Sequence, residues 1–285
     1  GEDILVDVAV TPTYYIGEEV GLEATTYGEA DSSLDGTKYG SVTTGVTGKI
    51  GNAWTFDGNS GTYATMATGA DWKFLNDGST SWTIVAYLKD VASGNDKHLF
   101  ATGEDSNNLG IRIGFYPEQF RIYTQTGGNP TGINYSSSSG FVPNDSTWRH
   151  YAFVFDKDAS EFKVYKDGVA DSVVDSTDTF PTGTPAYPMT LGKHPNQNIN
   201  WTGFTVDELG FFSTALSTSE IDSLTAGDTV LSLGNSDLFA YYDFDGSDLE
   251  NANTPIVNYQ QLDVAEDSLA LTVDELGNAK ISARD

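Results

Sequence analysis

The chain has 285 residues, no cysteine, and 41 Asp and Glu against 14 Lys and Arg, a formal net charge of −27. That length holds one large domain, or a domain with a small satellite, around a core that needs no disulfides; the missing thiols exclude a disulfide scaffold, a thiolate metal site and a cysteine nucleophile. The acidic surface argues against nucleic acid and anionic lipid as partners, and no apolar run is long enough for membrane insertion, whereas loop carboxylates suit Ca²⁺ or solubility in a salty medium.

In chain order, residues 1–29 read as an N-terminal strand extension, with Ile4, Val6, Val8 and Val10 alternating and a second strand around Val20 to Ala24. The centre of the chain is almost entirely of period two. Trp82, Ile84, Ala86 and Leu88 alternate with Thr83, Val85 and Tyr87. Leu109, Ile111, Ile113 and Phe115 alternate with Gly110, Arg112 and Gly114, and Phe120 and Ile122 resume after a turn at Tyr116-Pro117-Glu118. His150, Ala152 and Val154 alternate with Tyr151, Phe153 and Phe155, and residues 162–165 follow. Short aromatic and β-branched runs between Gly, Asn, Asp and Pro clusters predict an antiparallel sandwich rather than βαβ units. Asp57-Gly58, Asp77-Gly78, Asp167-Gly168 and Asp245-Gly246 supply residues tolerant of positive φ for tight turns.

One helix is predicted near 217–224. Ser217 and Glu220 form a capping box, and Leu216 and Ile221 stand where a hydrophobic staple closes. Beyond it, residues 247–285 read as a polar linker and a hairpin, with Leu269, Leu271 and Val273 on one arm and Ala279, Ile281 and Ala283 on the other. Thr-Val-Asp-Glu-Leu-Gly at 205–210 recurs at 272–277, which is read as local turn chemistry rather than a second domain. The chain begins at Gly1 rather than Met and shows no signal peptide, so it is expected to be processed or cut from something longer.

Four segments carry a family resemblance. Residues 48–58 read GKIGNAWTFDG, and residues 81–89 read SWTIVAYLK. Residues 148–156 read WRHYAFVFD and are followed by Val164-Tyr165-Lys166-Asp167-Gly168; residues 203–217 read GFTVDELGFFSTALS and are followed by Glu220-Ile221. Together, over about 30–226, they resemble the laminin-G-like group of the concanavalin-A-like lectin/glucanase superfamily. The resemblance implies an all-β jelly-roll sandwich of two antiparallel sheets at 30–246. One departure is that the family's opening strand has its look-alike late, at Asp237–Asp245, where it is expected to complete the same sandwich.

Some members of that superfamily are glycoside hydrolases with catalytic carboxylates spaced Glu-x-Asp-x-x-Glu on one strand face. No such string occurs here. Asp207 and Glu208 are adjacent, and in a regular strand they point to opposite faces. His98, His150 and His194 are scattered, and no serine sits in a nucleophile elbow, so no catalytic activity is expected. His150 is read as a packed or hydrogen-bonded residue of the sandwich.

The resemblance also implies a structural Ca²⁺ held by Asp57 and Asp207, with Asn59 and Glu208 as further oxygen ligands. The bland alternative is that Asp57 caps a turn and Asp207 accepts backbone N–H groups. For sugar recognition, Trp201 follows the polar loop His194–Asn200, Trp72 lies in a loop after Asp71, and Tyr116 is at a turn. These rings, with Asn198 and His194, are the candidate ligand-binding residues, while Trp54, Trp82 and Trp148 read as core. Asn134, Asn144 and Asn200 lie in glycosylation sequons. The expected function is a non-catalytic module on a cell or virion surface, binding glycan or a protein partner in attachment. The alternative is a structural virion or surface-filament subunit that self-associates through its terminal strands.

Overall fold

Alternating branched and aromatic residues leave the chain one economical solution, two sheets packed face to face. The computed structural model describes residues 4–5, 25–27, 32–92, 94–103, 109–126, 129–176, 179–253, 256–258, 269–273 and 279–283. It forms two units, one of residues 30–253 and one of residues 1–29 with 254–285.

The smaller unit begins with β1 (Ile4–Leu5) and β2 (Thr25–Tyr27). In the larger unit follow β3 (Gly36–Tyr39), β4 (Thr43–Thr47), β5 (Asn52–Asp57), β6 (Tyr63–Met66), β7 (Trp82–Lys89) and β8 (Lys97–Ala101). Next are β9 (Gly110–Tyr116), β10 (Gln119–Thr126), β11 (Asn129–Ser136), β12 (Arg149–Asp156) and β13 (Glu161–Lys166). The unit ends with β14 (Val169–Ala170), β15 (Asp175–Ser176), β16 (Met189–Leu191), β17 (Gly203–Phe212), α1 (Thr218–Ala226) and β18 (Leu238–Tyr242). The smaller unit resumes with β19 (Ile256–Asn258), β20 (Leu269–Val273) and β21 (Ala279–Ala283).

The seven-stranded sheet has the order β11-β10-β9-β8-β16-β6-β3. The nine-stranded sheet runs β14-β13-β12-β7-β17-β5-β4, with β15 added on β13 and β18 on β17. The all-β sandwich implied by the sequence is therefore present, and the late strand does complete it, as β18 pairs antiparallel with β17.

Between the sheets lies the main core, with Trp54, Phe56, Ile84, Ile113, Phe153 and Val206 fully or almost fully buried. A second apolar cluster lies on the far side of the nine-stranded sheet, where Ile221 and Leu224 of α1 cover Val85, Ala152 and Phe212. Strands β7 and β12 thus bury both faces, which explains why their apolar runs are nearly continuous. Burying each such side chain contributes roughly 1.5–3 kcal/mol.

Helix α1 starts as its capping box requires. The Glu220 amide donates to Ser217 Oγ at 3.3 Å, and the Ser217 amide donates to Glu220 Oε2 at 2.8 Å. It runs past the expected Leu224 to Ala226 and stops at Gly227, whose φ of 112° few other residues tolerate. Asp167 and Gly168 both take positive φ, 51° and 77°, in the two-residue link between β13 and β14. At Asp245-Gly246 the expectation fails: the left-handed residue is Phe244, at φ 59°.

Residues 247–253, read with the C-terminal segment, lie on the sandwich. The Gly36 amide donates to the Leu249 carbonyl at 2.7 Å, and the Ala252 amide to that of Tyr241 at 2.7 Å. In the smaller unit, the expected hairpin forms between β20 and β21, while β1 pairs with β21 and β2 with β19. Of the terminal strands seen as candidates for pairing with a neighbouring subunit, the described residues 4–5, 269–273 and 279–283 pair with one another. Val6 to Val10, the strand expected around Val20 to Ala24, and residues 274–277 of the repeated string lie outside the described residues.

Candidate functional site

The outward face of the seven-stranded sheet is set by the same alternation that fills the core. On β9, Ile111, Ile113 and Phe115 point inward, so Arg112, Gly114 and Tyr116 point outward. On β6, Ala64 and Met66 are core and Tyr63 is turned out; it pairs across with Tyr39 of β3, their rings stacked at 4.4 Å and 10°. Arg112 pairs outward with Tyr123 of β10, its guanidinium 4.9 Å from that ring and in an ion pair with Asp96. Burial brings Arg112 down to about 10, still charged at neutral pH. The one α-helix among the described residues covers the other sheet, so no helix lids this face.

A loop from Gly192 to Thr202 folds over one side of that face. Its ends meet through the Thr202 amide donating to the Gly192 carbonyl at 2.9 Å, and the His194 amide donates to that of Ile199 at 3.2 Å. His194 is buried beneath it, with Nδ1 accepting from the Asn196 and Gln197 amides at 3.3 and 3.2 Å. Its ring lies 5.0 Å from that of His98, and burial takes His98 down to about 3. His194 therefore shapes the loop from below and is not exposed to a ligand, correcting its assignment as a contact residue.

Trp201 is half-buried at the end of this loop, its ring 5.9 Å from that of Tyr63. Its Nε1 donates to the carbonyl of exposed Asn198 at 3.2 Å, and Lys97 Nζ donates to its own carbonyl at 2.7 Å. The Lys193 ammonium stands 4.5 Å from the Tyr63 ring centre and 5.7 Å from that of Trp201. Tyr39, Tyr63, Trp201 and Lys193 thus form one aromatic and cationic group on an open sheet face. Of these, only Trp201 was singled out in the sequence; outward Tyr63 was available from its alternation with Ala64 and Met66, whereas its approach to residue 201 was not.

Two other aromatic candidates part company with this group. Trp72 is fully buried: its Nε1 donates to the Met66 carbonyl at 2.9 Å and its ring packs 4.6 Å from Phe211. The loop after Asp71 is a compact turn that drives the ring inward, so Trp72 is a core residue. Tyr116 is exposed on the β9–β10 hairpin, under the Arg121 guanidinium at 4.6 Å. Trp54 and Trp82 are core as expected, but Trp148 is only half-buried, with Lys89 Nζ 4.6 Å from its ring. Among the sequons, Asn134 and Asn144 are exposed, and Asn200 Nδ2 donates to Asp96 at 3.2 Å.

The four residues considered for calcium fall into two separate places. Exposed Asp57 accepts from the amide and side-chain nitrogen of Asn59, both at 2.9 Å, which lowers its pKa. It pairs with Gly203 of β17, four residues and roughly 13 Å of strand from Asp207. Asp207 is buried, with Oδ2 accepting from the Lys49 and Ile50 amides at 2.7 and 2.9 Å. Glu208 accepts from Tyr241 Oη at 2.6 Å and the Val230 amide at 3.2 Å. The facing groups are donors, which a cation would have to displace, and among the described residues no three His, Asp or Glu side chains gather as a metal-holding group. These four residues do not fit a single calcium site.

Strand alternation also misplaced the Asp207–Glu208 pair. Glu208 takes φ 53° in a bulge, where β17 exchanges β5 for β18 as its neighbour. The extra residue puts both carboxylates on the outer side, between inward Val206 and inward Leu209. Burial pushes Asp207 up to about 7 and raises Glu208 as well.

A separate open groove of about 500 Å³ lies at the far end of the nine-stranded sheet, lined by Thr47, Thr55, Asp57, Lys89 and Thr205 among others. Its only aromatic lining residues, Phe56 and Phe204, stack their rings at 4.7 Å and are buried in the core. It offers hydroxyls and charge but no open ring.

The architecture and motifs have a counterpart in a known family: Laminin_G_3, of the concanavalin A-like lectin/glucanases superfamily, matches residues 57–222. The chain belongs to this family. No curated protein matches the chain. Among solved structures, domain 4 of AbnA, a GH43 extracellular arabinanase from Geobacillus stearothermophilus, is 20% identical, with a TM-score of 0.50 over 67% of this chain and 87% of that one. The binding domain of Paraclostridial Mosquitocidal Protein 1 is 15% identical, with a TM-score of 0.51 over 88% of this chain and 59% of that one. At these identities the likeness concerns the fold.

Proposed function

We propose that the chain is a non-catalytic, extracellular glycan-binding module acting in attachment, and that its binding face is the Tyr39–Tyr63–Trp201 group. The observation that carries this reading is the gathering of three aromatic side chains, half-buried or exposed, on an outward sheet face. Flat rings pack on the C–H faces of pyranoses, and nearby polar groups select among hydroxyls. Support comes from the arabinanase domain, whose solved structure contains arabinotriose, and from the binding-domain character of the mosquitocidal relative. Adjacent carboxylates Asp207 and Glu208 are buried and hydrogen-bonded, closed to any substrate. Among the described residues no helix is long and apolar enough to cross a membrane.

The test is a glycan array probed with the wild-type chain and with Trp201→Ala and Tyr63→Ala. Binding that both substitutions remove, with melting temperatures close to wild type, supports the reading. Binding that survives both places the site elsewhere, and an empty array with folded protein contradicts glycan recognition. Calcium and chelator arms are expected to give the same pattern, since the four residues considered for calcium do not assemble.

A further inference from the structure

Lys193 is an unusual lysine for this chain. Only 7% of it is exposed, although lysine is among the residues least often buried. With 41 Asp and Glu against 14 Lys and Arg, carboxylates are plentiful, and several lysines face one, while Lys49 and Lys89 face rings as Lys193 does but are not buried. Lys73 faces Asp77, Lys157 faces Asp158, and Lys163 faces Glu161. The Lys193 ammonium has neither a carboxylate nor a hydrogen-bond acceptor among the described residues; it faces the rings of Tyr63 and Trp201.

An ammonium facing two rings is attracted by their quadrupoles, but no protein acceptor among the described residues takes its three donors. Burial lowers its pKa, the expected cost of an uncompensated charge. A second cation lies close by, as Lys97 Nζ donates to the Trp201 carbonyl at 2.7 Å. Positive charge is thus concentrated beside the stacking rings of a chain whose net charge is −27. That is the arrangement for a ligand bringing its own anion to the ammonium while its ring stacks alongside.

Resting on the glycan-binding reading, we propose that Lys193 is the anion-recognising residue of this face and that its ligand is an acidic sugar bearing a ring carboxylate. The carboxylate accepts hydrogen bonds from Lys193 Nζ, and Trp201 and Tyr39 supply the stacking surface.

The experiment uses the full chain against oligosaccharides of galacturonic, glucuronic, mannuronic and sialic acids, each beside its carboxyl-reduced form, with sulfated neutral sugars as a third arm. Titration calorimetry is run for the wild type, Lys193→Met and Lys193→Arg. Methionine keeps the length and apolar body of lysine, and thermal melting verifies each fold. The expected result is an acid form bound at least about tenfold more tightly than its reduced form. That preference is lost in Lys193→Met and partly kept in Lys193→Arg. Equal binding of both forms, or a preference unchanged in Lys193→Met, overturns the role of Lys193 and leaves the glycan reading standing. Sulfated sugars bound in place of the acids overturn the carboxylate assignment. No sugar bound by the folded chain overturns both.

Discussion

On the outside of the nine-stranded sheet, Val85, Ala152 and Phe212 disappear beneath Ile221 and Leu224 of α1. On the outside of the seven-stranded sheet, Tyr39, Tyr63 and Arg121 have no helical cover. The same pleat alternation produces both surfaces, and the difference lies in what the outward positions carry. Where they are aliphatic, the chain must spend a helix and a late strand on hiding them. Where they are tyrosine and arginine, each side chain keeps a polar end for water, and the surface needs no cover. Buried polar groups occur on both sides: Asp207, Glu208 and His150 lie under the helix-covered face, while on the other side His98 and His194 lie beneath the loop and Arg112 and Arg121 face rings.

The comparison breaks most visibly by uncovering the closed side. Ile221→Ala removes a fully buried side chain of α1 and is expected to cost about 2–5 kcal/mol in chemical denaturation. Trp201→Ala, on the open side, is expected to cost much less while abolishing ligand binding. Similar losses for the two would mean that the loop from Gly192 to Thr202 is part of the core.

Acid titration comes next in size. Burial lowers His98 from 6.5 to about 3 and His150 from 6.5 to about 4. Below pH 6.5 the unfolded chain takes up protons that the folded imidazoles refuse, so their contribution is present above that value and is lost as pH falls. Asp207 has the opposite sign: raised from 3.8 to about 7, its contribution falls as pH rises between those values. Melting curves from pH 7 to pH 4 should show a smaller acid loss for His98→Gln than for wild type. Asp207→Asn should gain on wild type as pH rises from 4 to 7. Parallel curves for all three proteins would contradict the burial of these groups.

Tyr241→Phe takes the 2.6 Å donor from Glu208, leaving the buried carboxylate with the Val230 amide, and is expected to cost roughly 1–3 kcal/mol. The smallest effect concerns the helix start: Ser217→Ala should cost about 1 kcal/mol, whereas Ser217→Asp should restore most of it. An unchanged melting temperature for Ser217→Ala would show that packing alone holds the cover in place.

The sandwich was legible because Trp82 to Lys89 and Arg149 to Asp156 write their strands in branched and aromatic residues, and Ser217 to Glu220 writes its own helix start. The bulge at Glu208 was not, because its cause is the exchange of β5 for β18 beside β17, a tertiary event. Trp72 shows the complementary limit: a tryptophan in a polar loop reads as exposed until the turn around Asp71 aims it at Phe211. Trp201 was visible as a ring after a polar loop, but its partners Tyr39, Tyr63 and Lys193 meet it only through strand pairing and loop closure. His194, polar and in a loop, gave no sign that it would be buried against His98.

The location of a bound sugar decides between the open face and the groove. Hydrogen–deuterium exchange of the full chain with the tightest array ligand, against the free chain, reads that location directly. New protection of β3, β6 and residues 192–202, with none on the β4–β5 side, is the predicted result. Protection confined to the groove beside Thr47, Thr55 and Asp57, with the Trp201 loop unchanged, would contradict it.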